Sequence, residues 1–157
     1  MRIIGIDPGL AIVGYSIIDI KNGEHILVSS GSIQTDKTKT DASRLFEIET
    51  DMQTIIDKYK PDIASVEKLF YFKNQKTIIP VAEARGVILS VLEKNSIPIY
   101  EYTPIEVKQM ITGYGRATKN EVAKIVEMTV KYKKIPKLDD TVDSIAIAIC
   151  CSRNNIC

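Results

Sequence analysis

Two carboxylates close runs of residues that belong inside a sheet. Asp7 ends the apolar run IIGID and is followed at once by Pro8-Gly9, and Glu67 ends DIASVE just before LFYF. A third acidic group stands in KLDDTVDSIAIAIC, where Asp140 and Asp143 are three apart and Asp139 and Asp143 four apart. Either pair can share a helix face. A carboxylate at the end of a buried strand is costly unless it is paired, capped or bound to metal. Singly, each has a plain explanation: Asp7 as a turn cap, Glu67 paired with Lys68 or Lys76, and Asp139 or Asp140 as an N-cap. Jointly, three unrelated segments deliver carboxylates to the ends of elements, which points to a shared cation site. Hard oxygen ligands without His or Cys suit Mg²⁺ or Mn²⁺ rather than zinc. Two such ions flanking a phosphodiester are the machinery of in-line phosphoryl displacement.

Cations stand nearby in the chain. The segment 113–119, GYGRATK, is a glycine-bearing loop that leads into a helix N-terminus with Arg116 and Lys119 alongside. Such a loop suits a phosphate, although a C-cap glycine followed by a capped helix describes it equally well. Net charge is only +1, but it is unevenly spread. Residues 1–67 carry 7 Lys/Arg against 11 Asp/Glu, whereas residues 68–157 carry 14 against 9. Residues 105–138, which include Lys108, hold 8 basic and 3 acidic side chains. That asymmetry is compatible with a polyanionic partner or with a solvated helix surface.

The elements that must position these groups are legible from periodicity. Residues 2–7 read as a buried strand, and 12–19 and 25–33 as two more, joined by the short DPG and KNGE connections of antiparallel hairpins. Leu45, Ile48, Met52, Ile55, Ile56 and Tyr59 recur at helical spacing up to Pro61. Then follow a fourth strand (62–67), a helix (77–95) and a fifth strand (98–102). Capping boxes at Thr103–Glu106 and Thr118–Glu121 start two further helices, and a last helix covers about 140–152. At 157 residues the chain suits one domain, 1–157, with a mixed five-stranded α/β sheet flanked by helices. The helix 77–95 is apolar nearly all round and needs cover on both sides. His25, the only histidine, falls in a strand and is expected to be structural.

Cys150, Cys151 and Cys157 are three in number and crowd the C-terminus, so they form neither a disulfide framework nor a zinc pattern. No apolar run approaches membrane-spanning length and no signal peptide opens the chain. A reducing cytoplasm is the expected setting.

The blocks IGIDPGLAIVGYSIID, VEKLFYFKN, EARGV, YTPIEVKQMITGYGRATK and DDTVDSIAIAI resemble, in order and over essentially the whole chain, the RuvC family of Holliday-junction resolvases. The resemblance implies a ribonuclease H-like fold and a nuclease that nicks two opposing strands of a four-way DNA junction in recombination and repair. It implies an acidic metal-binding cluster at Asp7, Glu67, Asp140 and Asp143. The family's D-x-x-D spacing selects Asp140 over Asp139, and at the Asp140 position some members carry His. Lys108 and Lys119 fall on basic positions used near the active site and DNA, and Phe70 on an aromatic that contacts the crossover. Arg116 is a local inference from its loop. The resemblance further implies two Mg²⁺ or Mn²⁺ ions, a homodimer with helix 77–95 as its interface, and a branch-migration motor as a possible partner. With no histidine base expected, activation of the attacking water falls to the metal.

The nearest alternative is the fold-sharing nuclease family of pre-16S ribosomal RNA processing, against which the EKLFYFKN and GYGRATK blocks speak. An actin-like nucleotide-binding domain would be longer. A junction-binding protein without activity would not need the intact acidic set.

Overall fold

The computed structural model describes residues 1–69, 78–132 and 141–154. Strand β1 (Arg2–Asp7) lies inside the sheet, and Ile3, Ile4 and Ile6 have no solvent exposure. It pairs antiparallel with β2 (Ile12–Lys21), which pairs antiparallel with β3 (Glu24–Gln34). The β2–β3 turn places Asn22 at φ 52° and Gly23 at φ 77°. Both are left-handed, as the twist of a two-residue hairpin turn requires.

Helix α1 (Asp41–Tyr59) buries Ile48, Met52, Ile55 and Ile56, as the helical spacing predicts. The chain then returns through β4 (Ile63–Glu67), which runs parallel to β1 on the side opposite β2. Helix α2 (Ile78–Lys94) and strand β5 (Ile99–Tyr102) follow, and β5 is parallel to β4. Helices α3 (Pro104–Thr112) and α4 (Lys119–Thr129) each begin with the expected capping box, and Pro104 occupies the first turn of α3.

Among the described residues the sheet has six strands, not five, in the order β5-β4-β1-β2-β3-β6. The added strand, β6 (Val130–Tyr132), pairs parallel with β3 at its far edge. It escapes sequence reading because it is three residues long and follows α4 without a Gly, Pro or Asn to mark the change. The last helix, α5 (Val142–Arg153), starts at Val142 rather than near residue 140, with Thr141 as its N-cap.

The sheet separates two cores. Ile4, Ile6, Val13 and Ile17 pack with α1 and α2 on one face. Ile3, Ile18 and Ile63 pack with α3, α4 and α5 on the other. Helix α5 is buried at every residue from Ser144 to Cys151, and it lies flat on β1 because of Gly5. A Cβ there would fall 2.1 Å from the Ser144 carbonyl oxygen and 2.8 Å from Ala148 Cβ. Within α5, burial pushes the Cys150 thiol up to about 12, so it stays protonated at neutral pH. His25 Nε2 is hydrogen-bonded to Ser152 Oγ at 2.6 Å, the structural role expected of it.

Candidate active site

Alternation along the strands decides which way the carboxylates face. On β1, Ile3 belongs to the α5-side core and Gly5 abuts Ser144 of α5, so Asp7, two residues on, faces the same side. On β4, Ser65 Oγ donates to the Ile147 carbonyl of α5 at 2.8 Å, which turns Glu67 the same way. Ile6 pairs with Val66 in the parallel register, so the next step along both strands brings Asp7 level with Glu67. Asp143 comes down from the first turn of α5, the end of a helix that favours a negative charge.

Asp7, Glu67 and Asp143 thus line one cavity of about 300 Å³, together with Lys108 from α3 and Lys119 from α4. Its walls are apolar, with Val81 of α2, Val107, Val122 and Ile147 among them. Lys119 is the first residue of α4, and its Nζ donates to Asp143 Oδ2 at 3.2 Å. The Asp143 charge, reinforced by that hydrogen bond, raises the Lys119 pKa above the ordinary lysine value. Asp7 is raised from 3.8 to about 6, first by burial and then by the like charge of Asp143, with Lys119 opposing.

This electrostatic strain is what a divalent cation would relieve, and the donor set is all oxygen, which fits Mg²⁺ or Mn²⁺. Among the described residues no three acidic, His or Cys side chains converge into a ready-made coordination sphere. The carboxylates share a cavity but do not close on a point, as expected of like charges that repel.

The other anticipated residues divide. Lys108 and Lys119 are brought to the carboxylates, as expected. Arg116 is exposed in the connection between α3 and α4 and does not line the cavity. Gly113 is the left-handed C-cap of α3, and the α4 capping box engages the Thr118 and Glu121 amides. Asp139, Asp140 and Phe70 lie outside the described residues.

Sequence reading overlooked Arg85. Its Nε donates to the Glu67 main-chain carbonyl at 3.2 Å, and its guanidinium pairs with Glu101 of β5. A signal was present: Arg85 stands four residues after Val81 and three before Ile88, a charged residue on the inward stripe of α2.

Fold and site together define the class, a ribonuclease H-like nuclease whose carboxylates gather in one cavity. The family model described as "Crossover junction endodeoxyribonuclease RuvC" matches residues 3–151, and the chain belongs to that family.

Among its relatives, the crossover junction endodeoxyribonuclease RuvC of Caldicellulosiruptor saccharolyticus is 46% identical over 151 residues, covering 96% of this chain and 91% of the relative. That of Halothermothrix orenii is 49% identical over 150 residues, with the same coverage of 96% and 91%. The Thermus thermophilus RuvC structure superposes with a TM-score of 0.88 at 26% identity, covering 98% of this chain and 94% of that one. The same enzyme in complex with Holliday junction substrate gives 0.87 at 27% identity, with coverage of 96% and 92%. The yeast mitochondrial Holliday junction resolvase shares the fold, with a TM-score of 0.72 at 15% identity. The chain is an endodeoxyribonuclease of a metal-dependent family, and none of these relatives is an RNA-processing nuclease.

Proposed function

We propose that this protein resolves four-way DNA junctions by hydrolysing one phosphodiester in each of two opposing strands. The observation that carries this reading is the gathering of Asp7, Glu67 and Asp143 with Lys108 and Lys119 around one cavity. Three carboxylates can hold divalent cations, and two lysines can hold the phosphate brought to them. The complex of Thermus thermophilus RuvC with Holliday junction substrate, on the same fold, supports the choice of substrate.

In the proposed site Asp7 is the central ligand on the most buried strand, flanked by Glu67 and Asp143, and Asp140 completes the set. Two Mg²⁺ or Mn²⁺ ions bound there would supply an activated water and offset the charge that builds on the phosphate. Lys119, already beside Asp143, can turn from that carboxylate to a phosphate oxygen. Lys108 holds the backbone from the other side of the cavity. Phe70, three residues beyond the β4 carboxylate in the chain, is the candidate for stacking on an unpaired base at the crossover. Arg116, exposed on the α3–α4 connection, is placed to meet a duplex arm through its phosphates.

Two opposing strands call for two equivalent sites, hence a homodimer. The outer face of α2 supports that interface: Ile79 is 68% exposed, and Ala82 and Gly86 beside it are exposed and small. A branch-migration motor acting on the same junction and a cytoplasmic setting complete the reading. The decisive experiment incubates the protein with a synthetic mobile junction, with and without Mg²⁺, and maps the cuts. Paired symmetric nicks that require Mg²⁺ are expected from the wild type, and junction binding without nicks from Asp7→Asn. Normal cleavage by that variant would overturn the assignment.

A further inference from the structure

Arg85 reaches the catalytic strand from behind. The Glu67 side chain faces α5, whereas α2 packs on the opposite face of the sheet. From that face the Arg85 guanidinium spans two neighbouring strands, donating through Nε to the Glu67 carbonyl at 3.2 Å and pairing with the Glu101 carboxylate on β5. Burial lowers the Arg85 pKa, and the group remains a cation at any ordinary pH. Its side chain is 18% exposed and that of Glu101 34%.

The place of this contact matters. Glu67 is the last residue of β4, and the final ladder bond in this region runs from the Lys68 amide to the Tyr102 carbonyl at 2.8 Å. Beyond it the strand no longer restrains the chain. The Lys68 amide and the Glu67 carbonyl belong to one peptide plane, so that ladder bond holds the plane at its amide end. Arg85 holds the carbonyl end of the same plane, with a planar fork that can serve a carbonyl and a carboxylate together. One turn earlier on the same stripe, Ile78 and Val81 line the catalytic cavity, so α2 forms its wall and holds its strand as one rigid piece.

We infer that Arg85 is a positioning residue for metal binding: by holding the Glu67 backbone from the rear of the sheet, it sets where the Glu67 carboxylate meets the cation. This rests on Glu67 being a ligand, as proposed above. Groups that orient a metal ligand typically change affinity by roughly 10–100-fold when removed.

The test measures Mn²⁺ alone, by isothermal titration, on Arg85→Gln, Arg85→Lys and Glu67→Gln, with junction affinity in EDTA as a parallel readout. Arg85→Gln is expected to weaken Mn²⁺ binding about tenfold and to leave metal-free junction affinity unchanged. Arg85→Lys keeps the charge opposite Glu101 but cannot hold both oxygens, so it is expected to weaken Mn²⁺ binding as well, and it carries the test should Arg85→Gln fail to fold. Wild-type Mn²⁺ affinity in a folded Arg85 variant, with only a lower Tm, overturns the inference. If Glu67→Gln itself leaves Mn²⁺ affinity unchanged, it is the assignment of Glu67 as a ligand that falls.

Discussion

Lys119 Nζ stands 3.2 Å from Asp143 Oδ2, so a cation of the protein already faces the carboxylate contributed by α5. The two side chains are 81% and 42% exposed, and an ion pair that wet is worth about 1 kcal/mol or less. Its value lies elsewhere. On the proposed reading it keeps a movable positive charge within reach of the substrate phosphate, and that charge would compete with a metal ion for Asp143.

Lys119→Met should therefore separate three properties that usually fall together. Its Tm is expected within about 3 °C of wild type, given the small worth of the pair. At pH 8 its Mn²⁺ affinity is expected to rise a few-fold, because a repulsive charge has gone from the site. Its single-turnover cleavage of a junction is expected to fall on the order of 100-fold, since a donor to the reacting phosphate is lost. Weaker Mn²⁺ binding would show that Lys119 supports the metal site rather than opposing it.

Asp7 lets the pH dependence be worked out with its sign. Its folded-state pKa of about 6 exceeds the ordinary 3.8, so the folded protein holds that proton more tightly than the unfolded chain. Ionised Asp7 thus destabilises the metal-free protein, fully above pH about 6 and progressively less as pH falls toward 4. Asp7→Asn removes the penalty and should raise the metal-free Tm at pH 8 by roughly 8 °C, equivalent to about 3 kcal/mol. The gain should vanish near pH 4. Thermal scans in EDTA across that range check it, and a variant destabilised at pH 8 would refute the account.

Gly5 is the point where α5 meets β1. Gly5→Ala places a methyl 2.1 Å from the Ser144 carbonyl oxygen, which is helix backbone and cannot swing aside. The helix must lift from the strand, which is expected to cost about 3 kcal/mol or more and to carry Asp143 away from Asp7. Urea unfolding measures the first effect and Mn²⁺ titration the second. Unaltered stability would mean that the two backbones are not in the contact described.

Ile79 is 68% exposed on α2. Ile79→Asp should barely change the unfolding of the monomer, within about 0.5 kcal/mol for an exposed site. In analytical ultracentrifugation it should convert a dimer to a monomer, and junction nicking should lose its pairing. A variant that stays dimeric would move the interface off this face.

The parts of the site that were legible in the sequence are those set by periodicity. IIGID and DIASVE announce buried strands, and the parallel pairing of β1 with β4 aligns Asp7 with Glu67. Asp143 follows from the apolar face of α5. What was not legible depends on side chains crossing between elements. Arg85 looked like one charge in an apolar helix until its guanidinium was seen to span β4 and β5. Arg116, read from the same loop as Lys119, stays outside the cavity because α4 starts at Lys119 and aims that residue inward. Strand β6 was hidden because its pairing with β3 is a tertiary event with no local turn to announce it.

The contact of α5 with Gly5 also joins the two ends of the chain. The β1–β2–β3 meander is built from short-range pairings and can form early, whereas the β1–β4 ladder and the docking of α5 join distant parts of the chain. Asp7 and Asp143 come from opposite sides of that divide. With the hairpins made and α5 undocked, Asp7 would stand without Asp143. On the proposed reading, the site is complete only where the β1–β4 ladder and the docking of α5 on Gly5 are both in place.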